Sequence, residues 1–162
     1  MKSIFVASFL VAAGLLAGCS KPESAPAAGA AAPAGGPRVV NIQASDTMKY
    51  DVASIEAKPG EEIKVVLTNA GTQPKEVMGH NWVLLKAGSD PAAFVAAAVG
   101  AKDTGYIPAS LQDQIIAHID QLGPKQSGEV TFKAPSAPGE YQFLCSFPAH
   151  YLVGMKGILV VK

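Results

Sequence analysis

The residues with most chemical potential lie in one short run near the end of the chain: Cys145-Ser146-Phe147-Pro148-Ala149-His150-Tyr151-Leu152-Val153-Gly154-Met155. A thiolate, an imidazole and a thioether within eleven residues form a soft ligand set on a single loop. The chain has 3 histidines and 2 cysteines in 162 residues, so this clustering is not a by-product of abundance. Two histidines and one cysteine in a trigonal plane, with a weak axial methionine, is the arrangement of a blue copper site. The second histidine must come from elsewhere, and Met78-Gly79-His80-Asn81-Trp82-Val83-Leu84 offers one at the start of a candidate strand. Thiolate and thioether favour reduced copper, whereas imidazole accommodates both oxidation states. A rigid frame that holds a compromise geometry limits rearrangement on each transfer, and hydrogen bonds to the cysteine sulfur tune the potential.

These ligands need such a frame, and the sequence from Arg38 onward supplies it. Val40, Ile42 and Ala44 share one face of an alternating run, as do Ile63, Val65 and Leu67, then Val130 and Phe132, then Tyr141, Phe143 and Cys145. A β-branched run from Gly157 ends the chain. Lys58-Pro59-Gly60, Asn69-Ala70-Gly71, Gly123-Pro124 and Ala137-Pro138-Gly139 supply turns between the runs. About seven or eight short strands at this spacing predict an all-β sandwich of two packed sheets. Asp90-Pro91 followed by residues 92–99 predicts a capped short helix lying outside the sandwich as a flap. Residues 114–119 fit either a helix face or a strand and are assigned to a strand. Trp82 is assigned to the core.

The segment before Arg38 is of another kind. Lys2 and the apolar run from Ile4 to Leu16 form a secretory signal, shorter than the about 20 residues that a spanning helix needs. It closes on Leu16-Ala17-Gly18-Cys19, which resembles the lipobox of bacterial lipoproteins; that resemblance implies cleavage before Cys19 and lipidation of it. Residues 1–18 are therefore read as signal, 19–37 as a lipidated, Ala/Pro/Gly-rich tether, and 38–162 as one domain. With Cys19 lipidated, Cys145 has no disulfide partner in an oxidising compartment, so it must be buried, metal-bound or catalytic. Loss of Lys2 leaves 13 basic residues less one against 13 acidic ones, a balance of −1, which argues against nucleic acid or a polybasic membrane patch. The expected location is the periplasmic side of a membrane, with Ser20 leaning towards the outer one.

The segment from Val77 to Leu84 resembles the first ligand segment of azurins, and Cys145 through Met155-Lys156-Gly157 resembles their ligand loop. The likeness covers essentially all of residues 38–162, including Val39-Asn41-Ile42-Gln43 and Val130-Thr131-Phe132. It implies a cupredoxin-like Greek-key β-sandwich binding one copper ion per chain, and a single-electron carrier instead of an enzyme. It implies His80, Cys145 and His150 as equatorial ligands, Met155 as axial ligand, and the Gly79 carbonyl approaching from the opposite side. Asn81 would pin the two ligand segments together. Three departures stand out. Four residues separate His150 from Met155, where azurins usually have three and plastocyanins and auracyanins resemble this chain. The usual azurin disulfide is impossible here, and the lipobox implies an anchored form.

Met48, Met78, Phe147, Tyr151 and Leu152 are expected to form an apolar patch near His150. There, redox proteins would dock briefly on a domain expected to be monomeric. His118 is left outside the ligand set. A cysteine-nucleophile enzyme would need a cleft motif and gives Met155 no role. Structural zinc is a poor match to methionine, and a purely structural lipoprotein leaves the ligand set unexplained. Copper storage or delivery uses the same ligands and stays open as the alternative.

Overall fold

The computed structural model describes residues 35–162; the signal, Cys19 and nearly all of the tether lie outside the described residues. Eight strands form two sheets. β1 (Arg38–Ala44), β3 (Glu62–Asn69) and β6 (Ser127–Lys133) make a three-stranded sheet in the order β1-β3-β6. β2 (Ser54–Ala57), β4 (His80–Leu85), β5 (Ile115–Leu122), β7 (Gly139–Leu144) and β8 (Lys156–Val161) make a five-stranded sheet in the order β2-β8-β7-β4-β5. β1 runs parallel to β3 and β2 parallel to β8; the other pairs are antiparallel.

Alternation decides what each strand buries. Ile42 and Ala44 of β1, Ile63, Val65 and Leu67 of β3, and Phe132 of β6 face Ile55, Trp82, Leu84, Ile119, Tyr141, Phe143 and Leu159 of the other sheet. This is the alternation read from the sequence, and it makes one continuous core. Trp82 stacks between Phe132 and Phe143 at centroid separations of 5.9 and 5.6 Å, well inside that core.

β4 is the exception, because all six of its residues are buried. Its inward residues join the sandwich core, while Val83 and Leu85 on the other face pack with Leu144 under a second cluster. Helix α2 (Pro91–Ala98) covers that outer face through Phe94, with Ile107 beside it. A strand covered on both sides reads as an unbroken apolar run, which is how Trp82-Val83-Leu84-Leu85 appears. The helix starts as expected: the Asp90 carboxylate accepts the N–H groups of Ala92 and Ala93, and Pro91 occupies the first turn. Residues 115–122 form the expected strand, on the sheet edge beside β4. A single-turn helix α1 (Lys75–Met78) and two 3₁₀ segments, Lys102–Thr104 and Ala109–Gln114, complete the secondary structure of the described residues. Among the described residues no helix is long and apolar enough to cross a membrane.

Candidate metal centre

The centre forms at one end of the sandwich, where β4 begins and β7 ends. The antiparallel register pairs Val83 with Leu144. Two steps further along, Asn81 therefore lies opposite Ser146. Its side-chain amide donates to Ser146 Oγ at 2.8 Å, and its side-chain oxygen accepts the Ser146 N–H at 2.8 Å. Ser146 Oγ donates onward to the Tyr106 carbonyl at 2.7 Å, and the Asn81 amide also reaches the Gly105 carbonyl at 3.1 Å. One buried side chain thus ties His80's strand to Cys145's loop. Tyr106 and Gly105 were not legible as participants, since they sit far from either motif in sequence and contribute only carbonyls.

The connection from β7 to β8 carries the other candidates. Its neck is closed by Cys145 N–H donating to the Met155 carbonyl at 3.1 Å, and Met155 N–H donates to the His150 carbonyl at 2.9 Å. The four residues between His150 and Met155 fold into a compact turn. Val153 N–H bonds the Ala149 carbonyl at 3.2 Å and Gly154 N–H the Tyr151 carbonyl at 3.0 Å. Gly154 takes φ 96°, a left-handed conformation that glycine adopts without steric cost. These bonds and the Gly154 conformation accommodate the four-residue spacing beside the Cys145–Met155 neck.

His80, Cys145 and His150 converge: one potential ligand atom from each lies within 4.8 Å of the others. Cys145 Sγ is 3.5 Å from His150 Nδ1, and the two imidazoles sit 4.9 Å apart centre to centre. Two ligand atoms each about 2.0–2.3 Å from a shared ion at trigonal angles lie roughly 3.7 Å apart, so this spacing suits one metal ion. His80 is 0% exposed and neither of its ring nitrogens has a hydrogen-bond partner. A buried imidazole left so costs free energy that coordination would recover.

Burial sets the protonation states. Desolvation pushes the Cys145 thiol up to about 12, against the opposing pull of the Asn81 and Phe147 backbone N–H groups directed at the sulfur. Desolvation, reinforced by His80, brings His150 down to about 4. His80 is lowered by burial too, partly offset by Asp46 and the nearby Ser45 carbonyl. Both imidazoles are therefore neutral at pH 7 and have lone pairs to give.

Met155 is fully buried at the loop neck. Gly79 is buried immediately before His80, and a side chain there would run into the Gln121 amide and the Lys75 carbonyl. His118 is exposed and faces Asp120 at 3.5 Å, away from the centre. The expected surface patch needs correction. Phe147 is only 8% exposed, because its ring packs against His150 at 4.6 Å and Tyr106 at 4.9 Å. Tyr151 is half-buried, lies under the Lys156 ammonium and packs against the cluster beneath α2; Met48 and Met78 are half-buried. Leu152 alone of the five is fully open, at 77% exposure, and Val77, Val99 and Val153 are exposed residues that the sequence reading did not select. A shallow apolar groove of about 150 Å³ runs between α2 and the ligand loop, with Phe147 in its wall.

Comparison with known proteins agrees with this geometry. Residues 38–162 match the family described as copper binding proteins, plastocyanin/azurin family. Auracyanin-B of Chloroflexus aurantiacus is 36% identical over 152 residues, which cover 88% of this chain and 63% of that protein. Azurin of Pseudomonas fluorescens biotype C is 38% identical over 127 residues, 76% of this chain and 97% of the relative. Outer membrane protein H.8 of Neisseria gonorrhoeae is 36% identical over 160 residues, 83% of this chain and 86% of the relative. The crystal structure of dithionite-reduced auracyanin from Roseiflexus castenholzii superposes with a TM-score of 0.69 at 37% identity, covering 79% of this chain and 99% of that one. The chain belongs to the copper-binding plastocyanin/azurin family, and its converging His80, Cys145 and His150 are placed for one copper ion.

Proposed function

We propose that the protein is a single-electron carrier in which His80, Cys145 and His150 would hold one copper ion, with Met155 and the Gly79 carbonyl as its weaker further ligands. The observation that carries this reading is a three-ligand set already assembled in a dry, hydrogen-bonded frame: His80 and Cys145 are 0% exposed and His150 2%. When bound, copper supplies a one-electron couple between Cu(I) and Cu(II). The chain's own part is to hold the ligand atoms nearly still, which lowers the rearrangement on each transfer, and to keep water away. Asn81 and Phe147 aim backbone N–H groups at the Cys145 sulfur, where they stabilise the electron-rich reduced state.

The reading includes no bond-making chemistry. A storage or delivery role needs ligands that exchange readily, and the burial of all three side chains speaks against it. The face carrying Leu152 and Val153, beside His150, is proposed as the docking surface for redox proteins. The Leu16–Cys19 motif supports a lipid anchor on Cys19, and hence a periplasmic, membrane-tethered protein; the likeness to an outer membrane protein favours that membrane.

The test is repeated reduction and reoxidation of the copper-loaded protein in the presence of a Cu(I) chelator. A carrier keeps its metal and its potential through many cycles; transfer of the metal to the chelator on first reduction would favour delivery. Cys145→Ser is expected to abolish the blue colour altogether, and retained colour in that variant would sink the ligand assignment.

A further inference from the structure

A loop that bears no ligand touches every segment that does. After β1 the chain turns through residues 45–50, with Met48 N–H bonding the Ser45 carbonyl at 2.9 Å and Met48 itself at φ 55°. The loop then closes through the isolated bridge between Ala44 and Tyr50. Lys49 and Tyr50, adjacent in sequence, consequently serve opposite sides. The buried Tyr50 hydroxyl donates to the Asn81 carbonyl at 2.5 Å. The exposed Lys49 ammonium donates to the Val153 carbonyl, inside the arm that joins His150 to Met155. It lies against Gly154, where any side chain would meet it. The Ser45 carbonyl stands near His80. Asp46 in turn fixes the loop, accepting the Thr72 N–H and hydroxyl, each at 2.9 Å.

We propose that residues 45–50 form a clamp on the metal centre, with Tyr50 and Lys49 as positioning residues. Tyr50 holds Asn81, whose backbone N–H faces the Cys145 sulfur and whose side chain ties Ser146. Lys49 holds the arm before Met155. That arm exposes Leu152 and Val153, so packing does little to keep it in place and hydrogen bonds must. Without Tyr50's hydroxyl, Asn81 gains freedom and its N–H···S contact weakens; electron density on the sulfur rises and the reduction potential falls. Without Lys49's donor, the arm and with it the Met155 side chain gain freedom.

The inference rests on the copper reading above, and the experiment separates the two. Tyr50→Phe, Lys49→Met and Lys49→Gln are made in the full protein; Phe is nearly isosteric and Lys49 is exposed, so all three should fold. Amide exchange is measured on the metal-free proteins, and the copper hyperfine splitting and potential on the loaded ones. Tyr50→Phe should speed exchange around Asn81 about fivefold, as loss of one ordinary hydrogen bond implies, and lower the potential. Lys49→Met should speed exchange at Val153 and Gly154 by a similar factor and alter the hyperfine splitting, whereas Lys49→Gln, which keeps a donor without the charge, should match the parent in both. Parent-like exchange and spectra in Tyr50→Phe or Lys49→Met would overturn the clamp. So would a Gln variant that behaves like Met, because charge and not position would then be acting. If the parent takes up no blue copper the copper reading fails, and exchange in the metal-free variants still judges the clamp.

Discussion

At the residue scale, the site's proton balance follows from burial. In the metal-free protein at pH 7, Cys145 holds its proton, pushed up to about 12, while His80 and His150 are already neutral. Copper uptake at pH 7 should therefore release one proton, that of the thiol. Calorimetry in buffers of different ionisation heat measures this count directly; two or more protons would mean that an imidazole had been charged. The same burial makes the metal-free fold acid-sensitive. His150 titrates at about 4 in the folded state and near 6.5 when unfolded, so between those values the unfolded chain binds more protons. Stability is complete above about pH 6.5 and falls as pH drops towards 4, by up to about 3 kcal/mol from this group. Denaturant titrations across pH 4–7 should show that slope, and a flat profile would contradict it. Met155→Leu should keep the colour and raise the potential; loss of copper binding would count against a merely axial role. The ligand types were legible because cysteine, histidine and methionine are scarce here and fall at two short motifs. The direction of Phe147 was not: a residue between two candidate ligands can point in or out, and backbone geometry chose the ring stack on His150.

At the element scale, the strands could be read because one face of each meets the core, as Ile63, Val65 and Leu67 show. Residues 114–119 were ambiguous because Ile115, Ile116 and Ile119 also suit a helix face; pairing with β4 decides for the strand from Ile115 onward. The helix α2 announced its start through Asp90 and Pro91, but not its target, since an alanine-rich helix has little apolar contrast around its circumference. Only the structure shows Phe94 anchoring it over Val83, Leu85 and Leu144. Phe94→Ala should therefore destabilise the protein by about 3–5 kcal/mol in denaturant unfolding. A cost under about 1 kcal/mol would mean that the helix is not anchored there. Helix α1 is one turn long, too short for periodicity to reveal it.

At the scale of the whole molecule, the fold has two distinct ends. β1 begins at Arg38 and reaches the clamp loop after seven residues, a rise of about 23 Å, and β8 starts beside Met155 and runs back the other way. The chain thus enters the domain at the end remote from the metal centre. On this account Leu152→Lys should slow electron exchange with a physiological redox partner while leaving spectrum and potential unchanged; an unaltered rate would place docking elsewhere. Among the described residues Cys145 is free and buried, so no disulfide braces the domain there, and bound copper should also raise the melting temperature by mass action. The central claim, that two imidazoles and one thiolate close on a single copper, is tested most directly by visible and EPR spectra after addition of one equivalent of Cu(II). The account predicts an intense blue thiolate-to-copper band with narrow copper hyperfine splitting. A folded, reduced protein that gives no such band would contradict it.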